Sequence, residues 1–244
     1  MPIRSHDPFD DLLTKIDPRR NPYAQKLIDG QNSRSLPIAF GPDLKLFPGH
    51  WREQLKERLP ESNVSPSSPL IVEIGCHYGH TLVDLAADHP ECLFIGVDIT
   101  FKRVVQSAQR ALDLGLKNIF VILANAGGLH ELFCAEEVNG FVTFFPDPWT
   151  KKKHAENRLY APKFCNAARE KLCDEGFLWL KTDQQPYYTN ACEHAAAAGF
   201  SETVSLPVFG TKDYSSAFMR RYELLGLPWY GRKWVKSSSR STAH

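Results

Sequence analysis

The sequence predicts an α/β protein with a mostly parallel seven-stranded sheet and helices on both faces. Three observations predict it. From residue 70 onward, short β-branched and aromatic runs alternate with segments whose apolar residues recur at three- and four-residue spacing, as strands joined by crossover helices do. Several of those runs stop on a carboxylate or amide, namely Asp98, Asn125 and Asp183. In open α/β sheets, ligands bind beyond the carboxyl ends of the strands. The third observation is the stretch FVTFFPDPWTKKKHAENR from Phe141 to Arg158, where an apolar strand ends abruptly at Pro146-Asp147-Pro148-Trp149. Two prolines remove backbone donors and fix φ, so the ladder cannot run past Phe145 and Asp147 is held on a stiff strand-end turn.

Residues 1–60 carry eight prolines and no sustained period, which predicts a loop-rich extension with at most short helices, over 10–16 and 50–59. In the second of these, Trp51, Leu55 and Leu59 share a face. The polar stretch 61–69 reads as a linker, and a single domain is expected over 70–244, with a basic C-terminal tail. Within it, strands are predicted at 70–74, 93–97, 119–123, 141–145 and 177–181. Helices are predicted at 80–88, 101–114, 162–173 and 187–198, several closed by a glycine: Gly115, Gly176, Gly199. The pattern of 202–209 and 221–225 predicts a final strand pair.

A chain of 244 residues buries a substantial core, and its formal charge of +1 conceals basic clusters at Lys151, Lys152, Lys153, His154 and Arg158 and again from Arg220 to Arg240. Such clusters suit a polyanion; a solvated charged face would have the same composition. Six cysteines form no CxxC pair and no zinc spacing, so neither a metal site nor a disulfide framework is indicated. No apolar leader follows Met1 and no segment reaches membrane-span length, so a soluble, cytoplasmic protein is expected.

Glu73-Ile74-Gly75-Cys76-His77-Tyr78-Gly79 joins the first predicted strand of the domain to the helix after it. It is not the dinucleotide fingerprint, which needs three glycines for a pyrophosphate at a helix N-terminus. E-x-G-x-x-x-G with a second acid, Asp98, ending the next strand looks like the S-adenosylmethionine loop of Rossmann-like methyltransferases. Asp98 can accept both ribose hydroxyls and Glu73 can face a cationic methionine end. A plain strand-to-helix turn would share the spacing. Asn125-Ala126 falls where such enzymes often place an acid beside the adenine, and an amide can also bond that edge.

With this loop, Asp98, Asn125-Ala126, the PDPW-x-K-K-x-H run and Thr182-Asp183 in order, the chain resembles the tRNA (guanine-N7)-methyltransferase family over roughly residues 70–230. The resemblance implies a Rossmann-like class I methyltransferase fold, S-adenosylmethionine as donor and a variable-loop guanine of tRNA as acceptor. Glu73, Gly75, Gly79, Asp98, Asn125 and Ala126 would hold the cofactor, and Asp147 would be catalytic. Lys151, Asp183, Ser216, Phe218 and Arg221 would contact substrate. The chain departs from the family at His77, where a glycine is usual, and at Ala155-Glu156-Asn157, which interrupt an Arg-rich stretch. It departs again at Met219, where the family motif T-x-[FY]-E-x-[RK] has a carboxylate. Two other readings fit the same residues: a methyltransferase acting on another RNA site, and a decayed enzyme that only binds RNA or cofactor. The expected partner is tRNA, with no membrane and no metal. A monomer is expected, with a partner subunit left open.

Overall fold

The computed structural model describes residues 7–9, 18–148 and 158–237, and the chain forms two compact units, one ending at Cys134 and the other beginning at Ala135. The expected helix over 10–16, Trp149, Lys151, Lys152, Lys153 and His154 lie outside the described residues.

The first unit runs α1 (Pro22–Asn32), β1 (Ile38–Phe40), α2 (Trp51–Arg58), β2 (Leu70–Ile74), α3 (His80–Asp88), β3 (Leu93–Asp98), α4 (Phe101–Asp113), β4 (Ile119–Leu123) and the short α5 (Leu129–Leu132). Its strands lie in the order β1-β4-β3-β2, all parallel. Every residue of β2, β3 and β4 is buried, the mark of a parallel sheet covered on both faces. Helix α4 buries Val104, Ser107, Ala108 and Ala111, which fall on one side at helical spacing.

Residues 18–60 hold more structure than the expected loops. Helix α1 starts on an Asn21 cap, whose side chain accepts the Tyr23 N–H at 3.1 Å, with Pro22 in the first turn. Strand β1 pairs with β4, Ile38 opposite Val121, and Trp51 sits fully buried among Phe47, Phe120 and Phe133. Its indole N–H donates to the Leu132 carbonyl at 3.0 Å. A three-residue strand is too short to display a period, which is why β1 is invisible in the sequence.

The second unit comprises β5 (Val138–Phe144), α6 (Pro162–Lys171), β6 (Leu172–Thr182), α7 (Gln185–Ala197), β7 (Phe200–Thr203), α8 (Ala217–Leu224) and β8 (Tyr230–Lys236), in the strand order β5-β6-β8-β7. The β5 and β6 strands are parallel, and β8 runs antiparallel to β6 and β7. Among the described residues, eight strands therefore replace the seven expected, four in each unit, β1 being the addition.

The expected final strand pair is also corrected. Only Phe200–Thr203 is strand in the first segment. Beyond it Pro207 opens a tight turn in which Leu206 and Gly210 exchange backbone bonds at 2.9 and 2.7 Å. Residues 221–225 are the end of α8 and its cap, because the Ser216 hydroxyl accepts the Met219 N–H at 3.1 Å and starts a helix instead. The true last strand, β8, reads as basic tail. Its charges are absorbed by neighbours: the Arg232 guanidinium donates to Tyr188 Oη and pairs with Glu202, and Lys236 Nζ donates to the Leu172 carbonyl at 2.6 Å.

Candidate active site

In the first unit, β2 ends in a loop that reaches across to β3. The Gly75 and Cys76 amides donate to the Val97 carbonyl at 2.8 and 3.2 Å, so the turn after β2 is stitched to the end of its neighbour. Gly75 (φ 77°) and Gly79 (φ 72°) both take left-handed backbone, and a Cβ on Gly79 would stand 2.9 Å from Ser107 Cβ. His77 is also left-handed at φ 53°, which explains the glycine that the resemblance leads one to expect there. The loop holds it in place: its N–H donates to Asp98 Oδ2 at 3.1 Å and its carbonyl accepts from the Ser107 hydroxyl at 3.0 Å. Burial, then the charges of Arg103 and His80, push the His77 imidazole below its ordinary range.

Glu73 and Asp98 converge on this loop. Asp98 is buried; Oδ1 accepts the Thr100 N–H at 2.9 Å, while Oδ2 takes His77 and lies 3.6 Å from Arg103. Its carboxyl is raised by burial against the lowering effect of Arg103 and these N–H groups. A carboxylate has about four lone-pair sites, so capacity remains for further donors. Glu73 is more unusual. It is buried on β2, and among the described residues its Oε2 has no hydrogen-bond partner. Burial, then Asp98 and Asp84, push it up to about 8. An orphaned carboxyl oxygen next to a glycine turn and a second acid fits a ligand that brings a cationic amine, which S-adenosylmethionine has. Asn125 follows β4, where the Ala124 N–H donates to the Asp98 carbonyl at 3.1 Å. Its Oδ1 accepts the Gly127 N–H at 2.9 Å, capping a one-turn 3-10 segment that Ala126 opens. The structure thus brings Glu73, Gly75, Gly79, Asp98, Asn125 and Ala126 onto the carboxyl ends of three neighbouring strands.

In the second unit, β5 and β6 end side by side, with Phe144 opposite Lys181. Phe145 then turns left-handed at φ 53°, an arrangement that costs a bulky residue about 1–3 kcal/mol. Its N–H donates to the Lys181 carbonyl at 2.7 Å, and Pro146 and the exposed Asp147 follow. Arg158 returns to the same turn, its Nε donating to the Pro148 carbonyl at 3.2 Å. Asp183 lies just past β6 and is half-buried; its Oδ2 accepts from the Tyr222 hydroxyl and from Gln184 Nε2, each at 2.7 Å. Helix α8 faces this edge. Phe218, 47% exposed, stands 6.2 Å from the Phe145 ring at 24°, and Tyr222 5.8 Å from it. Ser216 serves as the cap of α8 through its hydroxyl, and Arg221 is exposed on that helix. Lys151 lies outside the described residues.

Sequence reasoning missed Lys181, Tyr222 and Gln184. The first had a signal: a lysine inside the apolar run FLWLKTD is either buried with a partner or out of place. The other two had none, because their roles depend on contacts made across the fold. Among the described residues no cluster of His, Cys, Asp or Glu could hold a metal ion, and no helix is long and apolar enough to cross a membrane.

Residues 67–208 match a family model described as "Putative methyltransferase". The chain is 31% identical over 178 residues to a tRNA (guanine-N(7)-)-methyltransferase of Brevibacillus brevis, covering 72% of this chain and 79% of that one. It is 34% identical over 122 residues to the enzyme of the same description from Pasteurella multocida, covering 50% of this chain and 48% of the relative. The chain thus spans about half the length of some curated relatives and more than three quarters of others. Among solved structures, the 16S rRNA methyltransferase KamB superposes with a TM-score of 0.54 at 14% identity, over 79% of this chain and 95% of that one, a likeness of fold alone.

Proposed function

The chain belongs to the tRNA (guanine-N7)-methyltransferase family, and on that premise we propose that it methylates N7 of a guanine in tRNA, the variable-loop guanine being the acceptor. The observation that carries the reading is the buried Glu73 carboxyl, with an oxygen that has no partner among the described residues, beside the Gly75–Gly79 turn and Asp98. A structural turn has no use for such a group, whereas a cationic ligand does.

S-adenosylmethionine, when bound, supplies a methyl group activated by a positively charged sulfur. Glu73 would accept from its amino group, Asp98 from its ribose hydroxyls, and Asn125 would donate from Nδ2 to the adenine edge, its Oδ1 being committed to Gly127. Gly75, with nothing within 4 Å of where a Cβ would stand, leaves room for close approach of the backbone, and Ala126 offers main-chain polar groups. N7 of neutral guanine already carries an in-plane lone pair, so the protein needs no general base. Its work is to orient the purine and to favour the cation that forms. Asp147, exposed on a turn fixed by two prolines, is suited to the second task, as a carboxylate near the product's positive charge. Asp183 would take donors from the guanine edge, and Phe218 and Phe145 offer aromatic surface for stacking. Ser216 sets the start of α8, and Arg221 and Lys151 would meet phosphates.

Incubating the chain with bulk tRNA and S-adenosylmethionine, followed by nucleoside analysis and by mapping of the modified position through aniline-induced strand cleavage, tests the reading. N7-methylguanosine confined to the variable loop is the expected product; its absence, or a different methylated nucleoside, overturns the proposal.

A further inference from the structure

Asp183 is a carboxylate with one oxygen spent. Both donors that reach it, the Tyr222 hydroxyl and the Gln184 side-chain amide, fall on Oδ2 at 2.7 Å, and among the described residues none reaches Oδ1. Two donors fill the lone pairs of Oδ2, so a ligand meets Asp183 through Oδ1. The same contact decides the orientation of Gln184. A carboxylate can only accept, so the amide must turn its nitrogen toward Asp183, and Oε1 is left as an acceptor with no donor among the described residues. The Gln184 backbone N–H, bonded to Thr182 Oγ1 at 3.2 Å, ties the residue to the strand end.

Two acceptors, one charged and one neutral, are therefore fixed on consecutive side chains that hold each other. We propose that Gln184 is a specificity-determining residue: Asp183 Oδ1 and Gln184 Oε1 together take the two adjacent donors of a guanine, N1–H and the N2 amino group. The inference rests on the reading of this site as the guanine acceptor site and adds to it the division of labour between the two side chains. It also supplies the reason for rejecting adenine. Adenine presents a lone pair at N1, which would face a carboxylate oxygen that also only accepts. A lone carboxylate with both oxygens open could bond N1–H and the amino group by itself; Tyr222 removes that option.

Inosine separates the two contacts, since it keeps N1–H and N7 and lacks the amino group. Single-turnover methylation is measured on a tRNA carrying guanosine or inosine at the methylated position, with the unaltered chain and with Gln184→Met, which keeps the length and removes the acceptor. The unaltered chain is expected to methylate inosine about tenfold more slowly than guanosine. Gln184→Met is expected to slow guanosine more than inosine, so the ratio falls to about one. A loss of folded protein scales both rates together and cancels in the ratio. An unaltered chain indifferent to inosine, or a Gln184→Met variant that keeps the full preference for guanosine, overturns the inference while leaving the methyltransferase reading intact. An unaltered chain that forms no N7-methylated product on either tRNA overturns the reading and the inference with it.

Discussion

Lys181 Nζ lies 2.6 Å from Asp213 Oδ1, joining an almost wholly buried lysine at the end of β6 to a half-exposed carboxylate in the loop before α8. The ammonium also donates to the Tyr214 carbonyl at 2.6 Å and sits within 5.0–5.4 Å of the Phe144, Trp179 and Trp229 rings. Met219, where the family motif would have a carboxylate, places its Sδ 3.3 Å from the same nitrogen. Asp213 thus provides from a loop a negative charge that position 219 lacks. Burial lowers the lysine's affinity for its proton, and Asp213 opposes that shift.

Removing Asp213 leaves a buried cation with a carbonyl and three ring faces. Asp213→Ala should destabilise the protein by about 2 kcal/mol, below the range for fully buried pairs because solvent screens the carboxylate. Lys181→Met, which removes the charge itself, should cost less than Asp213→Ala. Urea denaturation of both variants checks the order, and a reversed order would mean the pair is a net stabiliser.

Glu73 links cofactor binding to pH. Its folded-state value of about 8 stands above the unfolded value of about 4.3, so the folded protein holds a proton that the unfolded chain has lost. The stability this group contributes is complete below about pH 4.3 and declines as pH rises through about 8. Glu73→Gln should flatten that decline in thermal melts of the cofactor-free protein. Receiving a cationic amine requires the ionised carboxyl, so S-adenosylmethionine binding near pH 7 should release a proton. Calorimetry in buffers of different ionisation enthalpy should show that release in the unaltered chain and not in Glu73→Gln.

Asp147→Asn keeps the size of the side chain and deletes its charge on a turn that Pro146 and Pro148 hold. Single-turnover methyl transfer should slow by about two to three orders of magnitude, with tRNA and cofactor affinities little changed. A variant with the unaltered rate would make Asp147 a turn residue only.

Trp51 joins residues before the glycine loop to the core of the first unit. Trp51→Ala empties a site lined by Phe47, Phe120 and Phe133 and leaves the Leu132 carbonyl without its indole donor, so a loss of about 3–5 kcal/mol is expected. Trp51→Phe, which keeps most of the packing, should lose less. Equal stability of all three proteins would show that the 18–60 segment adds nothing to the core.

Local chemistry was enough to read β2, α3, β3, α4 and β4 from the sequence. Short β-branched runs such as LIVEI, a helical stripe such as Val104, Ala108 and Ala111, and glycines at Gly75, Gly79 and Gly115 each act over a few residues, where spacing records them directly. The positions of Glu73, Asp98 and Asp147 at strand ends follow from the same local signals. Tertiary structure decided the rest. Three residues of β1 become a strand only because β4 offers them a parallel edge, and β8 can be a strand because Tyr188, Glu202 and the Leu172 carbonyl absorb its charges. Residues 217–224 have a pattern compatible with either period; a cap at Ser216 and the burial of Met219 make them helix. The fine structure of the acceptor side is hidden for the same reason. Tyr222 reaches Asp183 and Asp213 reaches Lys181 across more than thirty residues of chain, and no spacing in the sequence encodes which oxygen of a carboxylate is already taken.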